Sequence, residues 1–194
     1  AANLAIALFG AEASNNLVVL PPEANVHGLL DVGVATEGGA DPLEGAAAVL
    51  LIRDDPTMRL ATAGAALAKA ATVIVIDNVL SEAAKAAAVV IAEGRAYAST
   101  GTYTTADHRI QKLMPAVKPE GDAVSLFEAL SALGAALGVE LPKTADAALG
   151  AVAKLDSAYQ PAWDLIIGEG VRRSVAVSAK AASAPVESLS ADAG

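Results

Sequence analysis

The stretch Thr72 to Gln111, TVIVIDNVLSEAAKAAAVVIAEGRAYASTGTYTTADHRIQ, decides the fold. Val73 to Ile76 is β-branched throughout and does not alternate with polar residues. That pattern suits a strand buried on both faces of a parallel sheet. Asp77-Asn78 ends the run, and Ser81 is placed to cap a helix whose first turn carries Glu82 and whose body is alanine. A second apolar run, Ala88 to Ala92, follows at once. About ten residues separate the two runs, near the lower limit for a parallel crossover, so the helix between them must be short. Beyond it, Gly101 to Gln111 has strand-forming residues on both sides of Ala106-Asp107-His108 and predicts a hairpin.

Working outward toward the N-terminus, Asn3 to Ala13 reads as a mostly buried helix stopping near Asn15-Asn16, followed by a strand over Leu17 to Leu20 that Pro21-Pro22 terminates. Ala24 to Gly33, with glycines at 28 and 33, predicts an irregular segment with close approaches, against the plainer reading of a connecting loop. Asp41-Pro42 predicts a short helix through Gly45. A strand over Ala47 to Ile52 then runs into Arg53-Asp54-Asp55-Pro56, where an open α/β sheet places its ligand crevice. Asp55 before Pro56 is also simply how a helix begins, so Thr57 to Ala70 is expected to be helical.

The resulting alternation of strands and helices argues for a parallel sheet with helices on both faces. Toward the C-terminus, Asp122 or Ser125 opens an apolar helix through Leu137 with Gly138 as its αL cap, and Thr144 caps another over Ala145 to Ala158. Trp163 is expected to anchor the next segment, and from Ala179 the composition reads as a tail. The expected division is an α/β domain over 1–140, a helical extension over 141–178 and a tail over 179–194.

Composition excludes several functions. The chain of 194 residues is 54% hydrophobic but only 3% aromatic, and alanine is about a quarter of it, so close helix packing must replace bulky side chains in the core. A net charge of −9 without a basic patch disfavours nucleic acid. The longest apolar candidate, Ala61 to Ile76, is interrupted by Lys69, so no membrane insertion is expected. An initial Ala in place of Met, on a segment that already reads as helix, leads us to expect a piece of a longer polypeptide. With no cysteine, iron–sulfur ligation through thiolates, disulfides and thiolate zinc sites are excluded from this chain. His27 and His108 lie at no recognisable ligand spacing, and Asp107-His108 lacks the G-x-S-x-G elbow a hydrolase triad would need. Gly168-Glu169-Gly170 lacks the third glycine of a dinucleotide loop, and Glu82 with Lys85 reads as a solvated pair.

The organising stretch resembles the molybdopterin oxidoreductase family. The family run D-x-F-x-[ST]-E-T-A-x-x-A-D-V-V-L-P is matched at Asp77, Ser81, Glu82, Ala84, Ala87, Val89 and Val90. Its G-T-[FY]-x-N-x-E-G-R-x-Q segment is matched at Gly101, Thr102, Tyr103, Arg109 and Gln111. Upstream, Ala24-Asn25 with Gly28 and Gly33 is similar to A-N-x-x-G-x-x-x-x-G, and Pro115-Ala116-Val117 with the helix from Asp122 fits the same template. The likeness covers about Ala1 to Gly138, with weaker support to Tyr159. More narrowly, it resembles the large iron–sulfur subunit of bacterial NADH-quinone oxidoreductase, respiratory complex I.

The departures are Ala83, Ala88 and Ala92 for the family threonine, aspartate and proline, and Thr105, Asp107 and His108 for its Asn, Glu and Gly. Where the family has a G-x-N-P-like turn, this chain has Arg53-Asp54-Asp55-Pro56. Acidic side chains facing a pyrophosphate would repel it, which counts against cofactor binding.

The resemblance implies a Rossmann-like parallel sheet covered by helices, with a hairpin excursion and C-terminal helices. It further implies a non-catalytic scaffold in the peripheral arm, cytoplasmic and peripheral to the inner face of the membrane, with no active site of its own. Its partners would be the iron–sulfur domains of its own parent chain and other complex I subunits. No cofactor is expected in this chain, the clusters lying elsewhere in the parent, and Arg53, Asp54, Asp55, Asp77 and Asn78 would form a vestigial strand-end loop. The alternatives are a fragment of an active molybdopterin enzyme and an unrelated acidic α/β binding domain.

Overall fold

The computed structural model describes residues 2–21, 23–34, 42–160 and 170–172. Its centre is a parallel sheet of three strands in the order β1 (Ala48–Ile52), β2 (Thr72–Asp77), β3 (Val89–Ala92). Register aligns Val49 with Val73, Leu51 with Val75, and Val75 in turn with Val90. Val75 and Ile76 are fully buried, as the unalternating β-branched run requires of a central strand.

Helix α3 (Ala63–Lys69) precedes β2 and helix α4 (Glu82–Ala86) follows it. Ala63, Leu67, Ala83 and Ala84 join Val49, Leu51, Val73 and Val75 in one buried cluster. The alanines let a five-residue helix lie close against the sheet, which is how so short a crossover still seals a core. Ser81 Oγ accepts from Ala84 N at 3.2 Å and caps α4 as its sequence position predicts.

Helices α3 and α4 contribute to the same cluster, on the face that Val49, Leu51, Val73 and Val75 share. On the other face Leu50 is 40% and Val89 47% exposed, while Ile74 beside them is half-buried.

Helix α1 (Ala2–Phe9) continues into a 3-10 turn over Gly10–Asn15, with Leu4, Leu8 and Phe9 exposed, so the expected N-terminal helix forms but is not mostly buried. Leu17 to Leu20 is not a strand: among the described residues no strand pairs with it, and Val18, Val19 and Leu20 are exposed. Apolar, β-branched residues supply propensity only; a strand exists when a neighbour supplies the ladder.

The Ala24 to Gly33 segment is not irregular throughout, for it holds helix α2 (Val26–Asp31). Its close approach is real. A Cβ on Gly28 would lie 2.3 Å from Asn25 Oδ1, the oxygen that accepts from Thr104 N at 2.8 Å. Pro42 to Gly45 is a turn instead of a helix, and its expected cap, Asp41, lies outside the described residues. Thr57 to Ala70 is not one helix either. A 3-10 turn over Pro56–Met58 and a further turn precede α3.

Beyond the parallel sheet, β4 (Gly101–Thr104) and β5 (Arg109–Leu113) form the expected antiparallel hairpin, extended by β6 (Val171–Arg172). Helix α5 (Leu126–Ala136) opens with a capping box in which Ser125 Oγ accepts from Glu128 N and Glu128 Oε2 accepts from Ser125 N. Gly138, at φ +73°, takes the αL position after it. Helix α6 (Ala145–Leu155), capped by Thr144, stops three residues short of Ala158 because Asp156 starts a separate 3-10 turn over Ser157–Tyr159. Leu149, Tyr159 and Ile110 make a second core between α6 and the hairpin. Trp163 and the segment from Ala179 lie outside the described residues. Among the described residues, no helix is long and apolar enough to cross a membrane.

The sheet centre yields the first prediction. Val75→Asp places an unpaired carboxylate at a fully buried position, at an expected penalty of several kcal/mol against a typical domain stability of roughly 5–15 kcal/mol. The cooperative thermal transition followed by circular dichroism should be lost, whereas Val89→Asp on the exposed edge strand should retain it.

Candidate functional site

The carboxyl ends of the three parallel strands carry Arg53, Asp77 and Glu93. Arg53 follows β1 with φ +52°, a left-handed backbone that non-glycine residues adopt only where the surroundings hold them. Its amide donates to Ile76 O at 2.9 Å, and its side chain reaches over the end of β2 to Glu93. Arg53 Nε donates to Glu93 Oε2 at 2.7 Å, and Nη2 donates to both Glu93 Oε1 and Ser99 Oγ. The Glu93 side chain is 1% exposed. Its hydrogen bond outweighs burial and keeps the Arg53 pKa above its ordinary value.

The two aspartates after Arg53 do not face the crevice, correcting the expectation that they would confront a bound pyrophosphate. Asp54 pairs with Arg59 through two hydrogen bonds of 2.9 Å, and Arg59 also binds Glu23. Asp55 Oδ1 accepts from Thr57 N at 2.9 Å and from Thr57 Oγ1 at 2.6 Å, while Oδ2 accepts from Ala83 N at 3.2 Å. One carboxylate therefore caps its own 3-10 turn and holds the first turn of α4, which is the helix-start reading with a second partner added. Burial pushes the Asp55 pKa up, but the bonds from Thr57 and Ala83 prevail and it sits below its ordinary value. Asp77 Oδ1 accepts from Asn78 N and Val79 N, closing the turn out of β2.

Two hollows adjoin these strand ends. A cleft of about 330 Å³ lies outside β2 and β3, with Asp77, Val79, Val90, Arg95, Tyr97 and Lys118 among its walls. A smaller hollow of about 240 Å³ separates the strand ends from the hairpin and includes Asn25, Arg53, Glu93, Ser99, Tyr103 and Phe127. Thus Asp77 and Asn78 line the first space, Arg53 lines the second, and Asp54 and Asp55 line neither.

The residue that sequence reasoning missed is Glu93. It stands 40 positions from Arg53, and its one signal is place: an acid directly after the third strand, opposite an arginine directly after the first. The histidines come together, His27 and His108 lying with ring centroids 4.3 Å apart, but no group of three or more His, Cys, Asp or Glu able to hold a metal occurs among the described residues. Glu82 and Lys85 form the exposed pair their spacing predicts.

A parallel sheet of three strands flanked by helices, with charged turns at its carboxyl ends beside a cleft, makes this an α/β protein of the open-sheet kind, the fold in which ligand crevices lie outside the strand ends. The chain matches the molybdopterin oxidoreductase family over residues 1–136 and belongs to it. No curated protein matches the chain.

Two predictions come from these bonds. Arg53→Ala leaves the buried Glu93 without its cation and should destabilise the chain by roughly 3–5 kcal/mol in urea melts, while Arg53→Ala with Glu93→Gln should recover part of that. Asp55→Asn keeps one capping oxygen but turns an amide N–H toward the Thr57 or Ala83 amide that the second carboxylate oxygen accepts from, and should lower stability at pH 7 by about 1 kcal/mol. Since the folded pKa of Asp55 is depressed, its contribution is present above the unfolded pKa of about 3.9 and fades as pH falls through the lower folded pKa. Melts of the two proteins should therefore converge below about pH 4.

Proposed function

We propose that this chain is a non-catalytic structural domain of an oxidoreductase, of the kind found in the large iron–sulfur subunit of NADH-quinone oxidoreductase. The observation that carries the reading is the internal use of the strand-end charges. In the family, loops at this position hold a large pterin dinucleotide, and a diphosphate there needs uncommitted cations and amides. Here Arg53 is neutralised by a buried glutamate, and the Asp55 carboxylate takes the amide of Ala83 at the start of α4. Asp77 and Glu93 add acid to the larger cleft. These residues do not fit a pterin diphosphate. They fit a sheet end that has been closed by its own side chains.

On this reading the chain holds no cofactor, and its partners are the iron–sulfur domains of its own parent chain and neighbouring subunits of the peripheral arm, on the cytoplasmic side. It supports electron transfer from NADH toward quinone by positioning domains that hold clusters. Without cysteine it has no thiolate to offer a cluster. The second reading, a fragment of an active molybdopterin enzyme, draws on the same family membership over residues 1–136.

Elemental analysis with pterin fluorescence separates the two. The purified chain should carry molybdenum and pterin far below one per chain; stoichiometric amounts after mild purification would put the enzyme reading first. In the parent complex, replacing Arg53, Asp54 and Asp55 together with alanine should reduce the amount of intact complex on a native gel. NADH oxidation per assembled complex should stay near that of the unaltered protein. A large fall in turnover of fully assembled complex would refute the scaffold role.

A further inference from the structure

The cleft outside β2 and β3 has two walls, and backbone bonds fix both. One is the turn out of β2, where Asp77 Oδ1 accepts from Asn78 N and Val79 N. The other joins the stretch after β3 to the stretch before α5. Gly94 N donates to Val124 O at 3.0 Å, Val124 N to Ala92 O at 3.0 Å, and Ala116 N to Tyr97 O at 2.7 Å. Gly94 and Pro119 approach so closely that a Cβ on the glycine would lie 3.2 Å from the proline ring. Arg95 follows one partner of that contact, and Lys118 and Glu120 flank the other, so the approach gathers three charged residues at one wall.

The charges of the cleft balance without pairing. Glu93 is neutralised by Arg53, which leaves Asp77 and Glu120 against Arg95 and Lys118. Asp77 accepts amide hydrogens and keeps its charge. Among the described residues, the side chains of Arg95, Lys118 and Glu120 form no ion pair with each other or with any other group. An anion or a cation bound here would upset the balance by its own charge. A ligand carrying both signs preserves it and gives each group a partner. The remaining walls are apolar, with Val79, Leu80, Val90 and Tyr97 exposed along them, and 330 Å³ lies at the small end of the range for small-molecule sites.

We propose that this cleft binds a free α-amino acid with an apolar side chain. Its carboxylate would meet Arg95 and Lys118, its ammonium would meet Glu120 with the charge of Asp77 opposite, and its side chain would lie among Val79, Leu80 and Tyr97. The two charged groups of an α-amino acid sit on one carbon, which matches cations and an acid drawn together by the Gly94–Pro119 contact. The charged groups then fix orientation and the apolar wall selects the side chain. Such a ligand carries no phosphate, so it fits a strand end that does not suit a diphosphate.

The test is equilibrium dialysis of the full chain against radiolabelled L-leucine and, separately, L-phenylalanine, with unlabelled competitors. At least one of the two should bind saturably. Its N-acetyl derivative, which lacks the ammonium, and its amide, which lacks the carboxylate, should each compete about tenfold or more weakly. The Arg95→Ala, Lys118→Ala double variant should lose the preference for the free acid over the amide, and Glu120→Gln the preference for the free amine over the acetylated form. All three side chains are exposed, so the thermal melts should stay unchanged. Should a variant fail to fold, the ligand series on the unaltered chain still decides. Absence of saturable binding of both amino acids at millimolar concentration, or equal competition by the acetylated or amidated form, overturns the proposal. Inorganic pyrophosphate should displace the amino acid weakly at most; stoichiometric pyrophosphate binding that excludes it would make the cleft an anion site and also overturn the proposal.

Discussion

A carboxylate buried at the end of one edge strand has to find a cation, and Glu93 finds it at the end of the other edge. Its bond to Arg53 spans the sheet over the top of β2, and each partner is anchored to β2 as well, Arg53 N to Ile76 O and Glu93 N to Asp77 O. Three strands are thereby tied at their carboxyl ends by side chain and backbone together. The desolvation of Glu93 is offset only because both its oxygens are engaged in a bidentate arrangement, the geometry in which a guanidinium meets a carboxylate best. The left-handed backbone at Arg53 fits this account. Strain at a non-glycine residue persists where several interactions over-determine the conformation, and here the amide, the guanidinium and the following acidic turn all do so.

The same constraint explains why a chain so poor in aromatic residues can close a parallel sheet. Alanine gives little transfer free energy, but it lets α4 sit against β2 within five residues, and its first turn is held by Asp55 from the loop after β1. Polar bonds from the strand-end turns do part of the work that large side chains do elsewhere. That use of the strand-end residues is also what removes them from ligand binding.

How much of this was legible follows from the range of each interaction. Ser81, Ser125 and Thr144 were readable as caps because a cap bonds to an amide about three residues away, and the signal sits wholly within a short window. The central strand was readable because burial on both faces leaves an unalternating β-branched run. Leu17 to Leu20 misled because it has strand composition but no strand beside it among the described residues, and pairing is set by the fold and not by composition. In the strand-end loop the residues were found but not their directions. Asp54 and Asp55 look like anions facing a crevice until Arg59, Thr57 and Ala83 are seen to hold them. Glu93 was harder to reach, since its one mark, an acid directly after the third strand, does not name a partner 40 residues away.

The C-terminal part shows the same dependence on distant pairing, through two hydroxyls and a carboxylate. Tyr159, buried after α6, has its hydroxyl 2.6 Å from Thr104 Oγ1 in the hairpin and 2.9 Å from Asp31 Oδ2 in α2. One phenol therefore joins three elements separated by 55 and 128 positions, and it does so at the residue whose ring also packs on Ile110 and Leu149. A tyrosine can serve in this way because its ring is apolar and its tip needs a partner when buried. The stretch matching the family ends at residue 136, yet Ile110 of the hairpin within it is buried against Leu149 and Tyr159 beyond that limit. Helix α6 and Tyr159 share the hairpin's core, and the hairpin is tied by the bond from Thr104 N to Asn25 to the segment before α2.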